Sequence, residues 1–352
     1  MKALCFVDVE AVAVETIDDP IIESPTDAIV KVEVAGLCGS DLHVFHGREV
    51  GIDVPTAMGH EFVGEVVDVG SAVKQFQVGD RVCAPFTTSC GGCFYCDQGL
   101  TCRCESGELF GWRSNQSGLH GGQAELVRVP LADGTLVKTD GLSDELALLL
   151  GDNLTTAAFA NELANDNRDA GQRANQVKVV IGCGTVGLIS VYLARQMGSQ
   201  VIAIDLLEHR RELASQLGGR TFASIEEAQS AVAELTEGRG ADSVMELVGL
   251  PAAQQLAFEL VRPGGTIATI GCHCEPNFAF SPVQAYDKNL TYRTGRCPAR
   301  HFMDQLKPHA LSGKFNELEK LISHRFSIDQ GIEAYDIFAN RKDNCLKAVL
   351  DI

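Results

Sequence analysis

The sequence predicts an α/β chain of two domains, a β-rich part followed by a doubly wound parallel sheet. Three observations carry that prediction. Residues 1 to about 150 are short, Val- and Gly-rich alternating segments, whereas from about residue 177 extended and helical patterns alternate regularly. The length of 352 residues also exceeds the ~100 to 200 of a typical domain.

The elements follow in chain order. In the first part, 29–34 and 62–67 alternate apolar with polar or glycine residues and read as strands between glycine turns. A helical pattern covers 153–173, and the apolar run 177–181 enters a glycine-rich turn. Next come a helix at 185–197, a strand at 201–204 and a helix at 208–217, stopped by Gly218-Gly219. A strand at 243–247, a helix at 252–261, a turn at Pro263-Gly264-Gly265 and a strand at 266–270 complete the alternation. Helical patterns at 301–312 and 328–340 and a closing strand at 346–350 fall outside it, which leaves open a return to the first domain.

Composition excludes several classes of function. With 45% apolar and 22% charged residues the chain can bury a sizeable core. Its 47 acidic against 29 basic side chains give a net charge of -18, which repels phosphate backbones and anionic lipid, so no nucleic-acid or membrane partner is expected. Asp8, Glu10, Glu15, Asp18 and Asp19 interrupt any secretory signal, and the uncharged run 179–194 is shorter than the ~20 residues that span a bilayer. Thirteen cysteines without an export signal point to a reducing compartment, the cytoplasm.

Gly182-Cys183-Gly184-Thr185-Val186-Gly187 fits G-x-G-x-x-G between a predicted strand and a predicted helix. In that setting the glycines permit a tight turn and bring backbone close to a pyrophosphate at the positive helix N-terminus. Asp205, directly after the next strand, stands where a carboxylate accepts hydrogen bonds from adenosine ribose and repels a 2'-phosphate. NAD is therefore expected over NADP. Two alternatives stay open: Asp205 as a helix cap, and Arg210 with Arg211 as a grip on a 2'-phosphate.

Cys90, Cys93, Cys96 and Cys104 form C-x2-C-x2-C-x7-C, enough thiolates to close a tetrahedral shell around one structural Zn2+, with Cys102 competing for the fourth place. Cys38, His60 with Glu61, and Asp152 are dispersed, and each alone is unremarkable: a lone cysteine is usually a small core residue and a lone histidine a satisfied polar group.

Gly59, His60, Glu61, Gly64 and Gly70 meet the pattern GHExxGxxxxxG, and Val78-Gly79-Asp80-Arg81-Val82 follows. Together with the cysteine lobe and the glycine turn, the chain resembles the zinc-containing medium-chain alcohol dehydrogenases over essentially its whole length. The resemblance implies a GroES-like β domain at 1–153 and 294–352, a Rossmann domain at 154–293, and an active site in the cleft between them. It implies a catalytic zinc held by Cys38, His60 and Asp152, with Glu61 as an alternative or outer ligand, and a second, structural zinc in the cysteine lobe. Asp41 matches the residue that orients the zinc-bound histidine, and Ser40 and His43 match a proton relay.

Thr156 matches a residue packed beside the nicotinamide, and Lys347 and Arg296 lie in segments that in relatives reach cofactor or substrate. Trp112 stands where some relatives place a pocket wall; packing in the core is the equal alternative. The implied reaction is hydride transfer between a small-molecule alcohol, primary or secondary, and NAD, giving an aldehyde or ketone, in a homodimer or homotetramer. Polyol, amino-alcohol or formaldehyde dehydrogenases on the same scaffold, and a non-catalytic NAD- and zinc-binding protein, are the alternatives.

Overall fold

The computed structural model describes residues 1–165, 175–274 and 276–352. The chain divides into two compact units, Met1–Thr155 with Pro298–Ile352, and Thr156–Cys297.

The first unit is mostly antiparallel. Its main sheet runs Val137–Lys138, Arg81–Cys83, Phe62–Val69, Ala28–Gly36, Ala348–Asp351 and His324–Ser327, with Leu126–Val129 pairing the same Ala28–Gly36 strand. Ala28–Gly36 is central because Lys31 and Glu33 alone reach solvent while its other side chains are buried. Val30, Val32, Phe62, Val66, Val82, Phe110 and Val127 form one core under this sheet, and Leu4, Leu37, Met58, Tyr335 and Leu350 belong to a second. The closing strand pairs antiparallel with Ala28–Gly36, Leu350 opposite Ala35, so the end of the chain is built into this unit.

The second unit is a parallel sheet of six strands in the order Arg220–Phe222, Gln200–Ile204, Val177–Ile181, Ala241–Glu246, Val261–Thr269 and Thr291–Thr294. The chain starts in the middle, winds outward to one edge and returns to wind to the other, as in a doubly wound Rossmann-type fold. Val177–Ile181 is buried along its whole length, apolar except for Lys178, whose ammonium donates to Asn165 Oδ1 at 2.8 Å.

The predicted α/β class, antiparallel unit plus parallel Rossmann-type sheet, is the one observed. Several details differ. The turn expected at Pro263-Gly264-Gly265 is looped out inside one strand, Val261–Thr269: Ala241 pairs with Val261 and Ser243 already with Thr266. The helix expected at 328–340 is a 3-10 turn, Ile328–Gln330, followed by an α-helix at Gly331–Ala339. Of the helical pattern at 153–173, Asn153–Ala164 is helix and 166–173 lies outside the described residues. Among the described residues no helix is long and apolar enough to cross a membrane.

Candidate functional site

In the first unit, donor atoms of Cys38, His60, Glu61 and Asp152 converge within 4.8 Å of one another. Three separate segments deliver them. Cys38 follows the end of the central strand Ala28–Gly36, His60-Glu61 immediately precedes Phe62–Val69, which pairs beside it, and Asp152 caps the helix Asp144–Gly151. Cys38 Sγ lies 3.4 Å and His60 Nε2 3.7 Å from the same oxygen, Asp152 Oδ2.

Asp41 fixes this geometry. Its Oδ1 sits 3.0 Å from His60 Nδ1, and its Oδ2 accepts the Cys38 backbone N–H at 2.9 Å. With Nδ1–H donated to a carboxylate, the Nε2 lone pair is turned toward Cys38 and Asp152. Ser40 Oγ is 3.3 Å from that Nε2 on the exposed side, and His43 lies on the short helix Asp41–Phe45, half-buried, its pKa lowered by burial.

Glu61 is 1% exposed, and both of its oxygens already have partners. Its Oε1 accepts from Asn153 Nδ2 at 2.8 Å and its Oε2 from Lys347 Nζ, which also donates to the Leu37 carbonyl at 3.0 Å. Gly36 makes room for this pair: a Cβ there would stand 2.0 Å from Glu61 Oε2, and neither buried partner can move aside. Lys347, which the resemblance places near cofactor or substrate, is 1% exposed and lies against Glu61.

The electrostatics favour a cation. Burial pushes the Cys38 thiol up, with the Asp152 and Glu61 carboxylates adding to it. Burial works to lower His60, but the Asp41 carboxylate, with Asp152, lifts it well above the ordinary histidine value. Burial lowers Lys347 as well, and Glu61 more than restores it, so the ammonium stays charged. A buried thiol, an imidazole lone pair and carboxylates are the donor set of a zinc site, and a dication reverses the direction in which the thiol is pushed.

The second cluster unites Cys90, Cys93, Cys96 and Cys104 within 4.8 Å; it takes Cys104 and leaves Cys102 outside. Backbone N–H groups point at its sulfurs: Cys90 N donates to Cys104 Sγ at 3.2 Å, and backbone N–H groups of Glu105 and Cys96 hold Cys93 down to about 6. Such dipoles stabilise thiolates, and four protein donors leave no open position, so this donor set suits a structural ion.

In the second unit the glycine turn joins Val177–Ile181 to the helix Thr185–Gln196, with Gly184 as N-cap. Gly182 has φ +92°, and a Cβ on Gly187 would lie 1.9 Å from the Gly182 carbonyl, so the turn closes only with glycine at both. A Cβ on Gly184 would meet nothing within 4 Å. That open approach at a helix N-terminus, with Thr185 and Val186 behind it, fits a pyrophosphate.

Asp205 sits just after Gln200–Ile204, its Oδ2 accepting from Cys183 N at 2.7 Å and its Oδ1 from Leu207 N at 2.9 Å. It ties the glycine turn to the segment after the next strand; the helix Glu208–Gln216 itself has Leu207 as its N-cap, with no side-chain capping bond. Arg210 NH1 lies 3.8 Å from Asp205 Oδ2, and Arg211 NH1 donates to the carbonyls of Asp205 and Leu206 at 3.0 and 2.8 Å.

The remaining sequence candidates are scattered. Thr156 lies on the helix Asn153–Ala164, Arg296 is exposed after the edge strand Thr291–Thr294, and Trp112 is half-buried against the core that holds Leu37 and Val44. Sequence reasoning missed Asn153 and the Lys347–Glu61 pair. The first could have been noticed as an amide beside an acidic ligand; the second has no local signal.

Comparison with known proteins agrees with this geometry. Residues 24–140 match the family model for the alcohol dehydrogenase GroES-like domain, and residues 185–306 match that for zinc-binding dehydrogenases. Zinc-type alcohol dehydrogenase B of Aspergillus flavus is 40% identical, over 96% of this chain and 78% of its own length. The structure of alcohol dehydrogenase TADH from Thermus sp. ATN1 is 34% identical with a TM-score of 0.90, covering 100% of this chain and 99% of that one. A putative zinc-binding dehydrogenase from Sinorhizobium meliloti, solved bound to NADP, is 26% identical with a TM-score of 0.81, over 100% and 99% of the chains. The chain belongs to the zinc-containing medium-chain alcohol dehydrogenase family. It is an oxidoreductase of the alcohol dehydrogenase type, with a structural-type four-cysteine site, a catalytic-type site and a nicotinamide cofactor.

Proposed function

We propose that the chain oxidises a primary or secondary alcohol to the aldehyde or ketone, or runs the reverse reaction, with NAD as the hydride carrier. The observation that carries this reading is the convergence of Cys38, His60 and Asp152, with Asp41 aiming His60 and Glu61 retained behind. A zinc ion held there would supply a Lewis acid that lowers the pKa of a substrate hydroxyl. The protein's own part is alignment and proton handling. Ser40, exposed beside His60, is placed to take the hydroxyl proton, and His43, kept neutral by burial, is a base toward solvent.

Asp205 supports NAD over NADP: tied to the glycine turn through the Cys183 N–H, its carboxylate would accept from ribose hydroxyls and repel a 2'-phosphate. Arg211 spends one guanidinium nitrogen on backbone carbonyls, and Arg210 lies against Asp205 itself. Assembly as a homodimer or homotetramer belongs to the same proposal and is read by light scattering.

The test is a panel of primary, secondary and polyhydric alcohols and formaldehyde, with NAD and NADP compared, followed by reduced-cofactor absorbance with and without a zinc chelator. Chelator-sensitive reduction of NAD by one alcohol class is the expected result; turnover that survives loss of the metal removes the reading. Cys38→Ser and His60→Ala should abolish turnover with dinucleotide binding retained, and His43→Ala should be milder. Asp205→Ser should move the kcat/KM ratio toward NADP.

A further inference from the structure

We propose that Asn153 is a positioning residue of the catalytic metal centre, its amide holding the Asp152 and Glu61 carboxylates side by side so that Asp152 presents one oxygen to the metal. The inference rests on the reading of Cys38, His60 and Asp152 as the ligands.

Asn153 is 2% exposed and opens the helix Asn153–Ala164 directly after Asp152. Its Nδ2 lies 2.8 Å from Glu61 Oε1 and 3.0 Å from Asp152 Oδ2. The second of these is the oxygen that faces Cys38 Sγ and His60 Nε2, so the amide acts on the atom that would bind the ion. Asn153 Oδ1, in contrast, is buried and finds no hydrogen-bond partner among the described residues.

Leaving a buried acceptor unsatisfied is unfavourable, and exchanging the amide's oxygen and nitrogen would aim that oxygen at two carboxylate oxygens. The carboxylates therefore dictate the amide's orientation. An NH2 group supplies two N–H donors with no charge of its own, which two adjacent anions need if neither is to be drawn away by a full cation. Lys347 donates to Glu61 Oε2, and the amide reaches Glu61 Oε1 and Asp152 Oδ2 together. Thr155 Oγ1, donating to the Asp152 carbonyl at 2.7 Å, fixes the turn from which both side chains project.

The variants are Asn153→Leu, which keeps the γ-branched outline and removes both donors, and Asn153→Ser, which keeps one. Zinc affinity at each site is measured by competition with a chromophoric chelator, the cobalt-substituted protein is examined by its d–d absorption, and NADH binding is titrated by fluorescence. Asn153→Leu is expected to weaken the catalytic-site metal by about 10- to 100-fold, the range seen when an outer partner of a ligand is removed. It should shift the cobalt bands and leave the four-cysteine site and NADH affinity unchanged, with Asn153→Ser in between; if Leu prevents folding, Ser alone decides. Wild-type metal affinity and an unshifted cobalt spectrum in the variants overturn the clamp and leave the metal-centre reading standing. A parallel loss at both zinc sites also overturns it, as a general structural defect. Parent protein that binds one zinc per chain, in the cysteine lobe, overturns the metal-centre reading itself.

Discussion

At the scale of the residue, a half-buried histidine and a buried lysine make stability depend on charge in opposite ways. His120 Nδ1 lies 3.0 Å from the Ala57 N–H and Nε2 2.7 Å from Arg113 NH1, two donors of which a neutral ring can accept only one. Burial first, and the Arg113 charge second, push it down to about 4. Its folded value lies below the unfolded ~6.5, so the unfolded chain binds the extra proton between those values. The contribution is complete above about pH 6.5 and is lost as pH falls toward about 4. His120→Asn should flatten the fall of melting temperature across that window; an unchanged slope would remove histidine as its cause. Lys347 is the converse case, a cation that a buried carboxylate needs. Lys347→Met should cost roughly 3–5 kcal/mol, lessened to the extent that Glu61 takes up a proton, and Glu61→Gln added to it should restore part of the loss in thermal denaturation. These contacts also show what the sequence conceals. Cys38, His60 and Asp152 are recognisable through short motifs around them, but Lys347 and Glu61 stand 286 positions apart, and no local pattern announces such a pairing. Asn153 was missed because an amide beside an acid is ordinary until a second carboxylate arrives from elsewhere in the fold.

At the scale of the element, the glycine turn before Thr185–Gln196 separates folding from binding, because its glycines are required for different reasons. A Gly187→Ala methyl would collide with the Gly182 carbonyl, backbone against backbone, at a cost of about 1–3 kcal/mol. Among the described residues a Gly184→Ala methyl meets no neighbouring atom within 4 Å, so the melting temperature should hold while the space for a phosphate is filled. Melting curves and NADH titrations on both variants decide it, and wild-type affinity in Gly184→Ala would mean that the dinucleotide does not approach there. The legibility of elements follows the same logic. Val177–Ile181 was read to the residue because burial on all sides leaves apolar residues at every position but Lys178. Arg220–Phe222, Thr291–Thr294 and the helix Ile225–Thr236 were not read: the strands lie at sheet edges, too short for a period to register, and the helix shows only a narrow buried stripe of Ala228, Ala231, Val232 and Thr236. Pro263-Gly264-Gly265 was a true break signal, yet the neighbouring strand carried the ladder past it, so tertiary pairing outweighed local turn chemistry.

At the scale of the whole molecule, charge sets the response to salt. The 47 carboxylates outnumber the 29 lysines and arginines, so pairing every base would still leave 18 acids without a partner. Many pairs that do form are at the surface, such as Lys342–Asp336 with both side chains 51% exposed and Arg220–Glu234 at 48% and 67%. An exposed pair contributes ~0–1 kcal/mol and is itself weakened by salt, whereas the excess negative charge repels itself in the compact state and less so in the expanded one. At ~0.1 M ionic strength the screening length is already about 10 Å, so added salt removes both effects over most surface distances. With like-charge contacts in excess, the repulsion removed should exceed the attraction lost. The melting temperature of the zinc-loaded protein is therefore expected to rise between low salt and about 0.5 M sodium chloride, an ion pair chosen to avoid the preferential exclusion that makes sulfate stabilising for any protein. A melting temperature that fell over that range would mean that the surface ion pairs outweigh the net charge, and that the acidic surplus is spread too thinly to strain the fold.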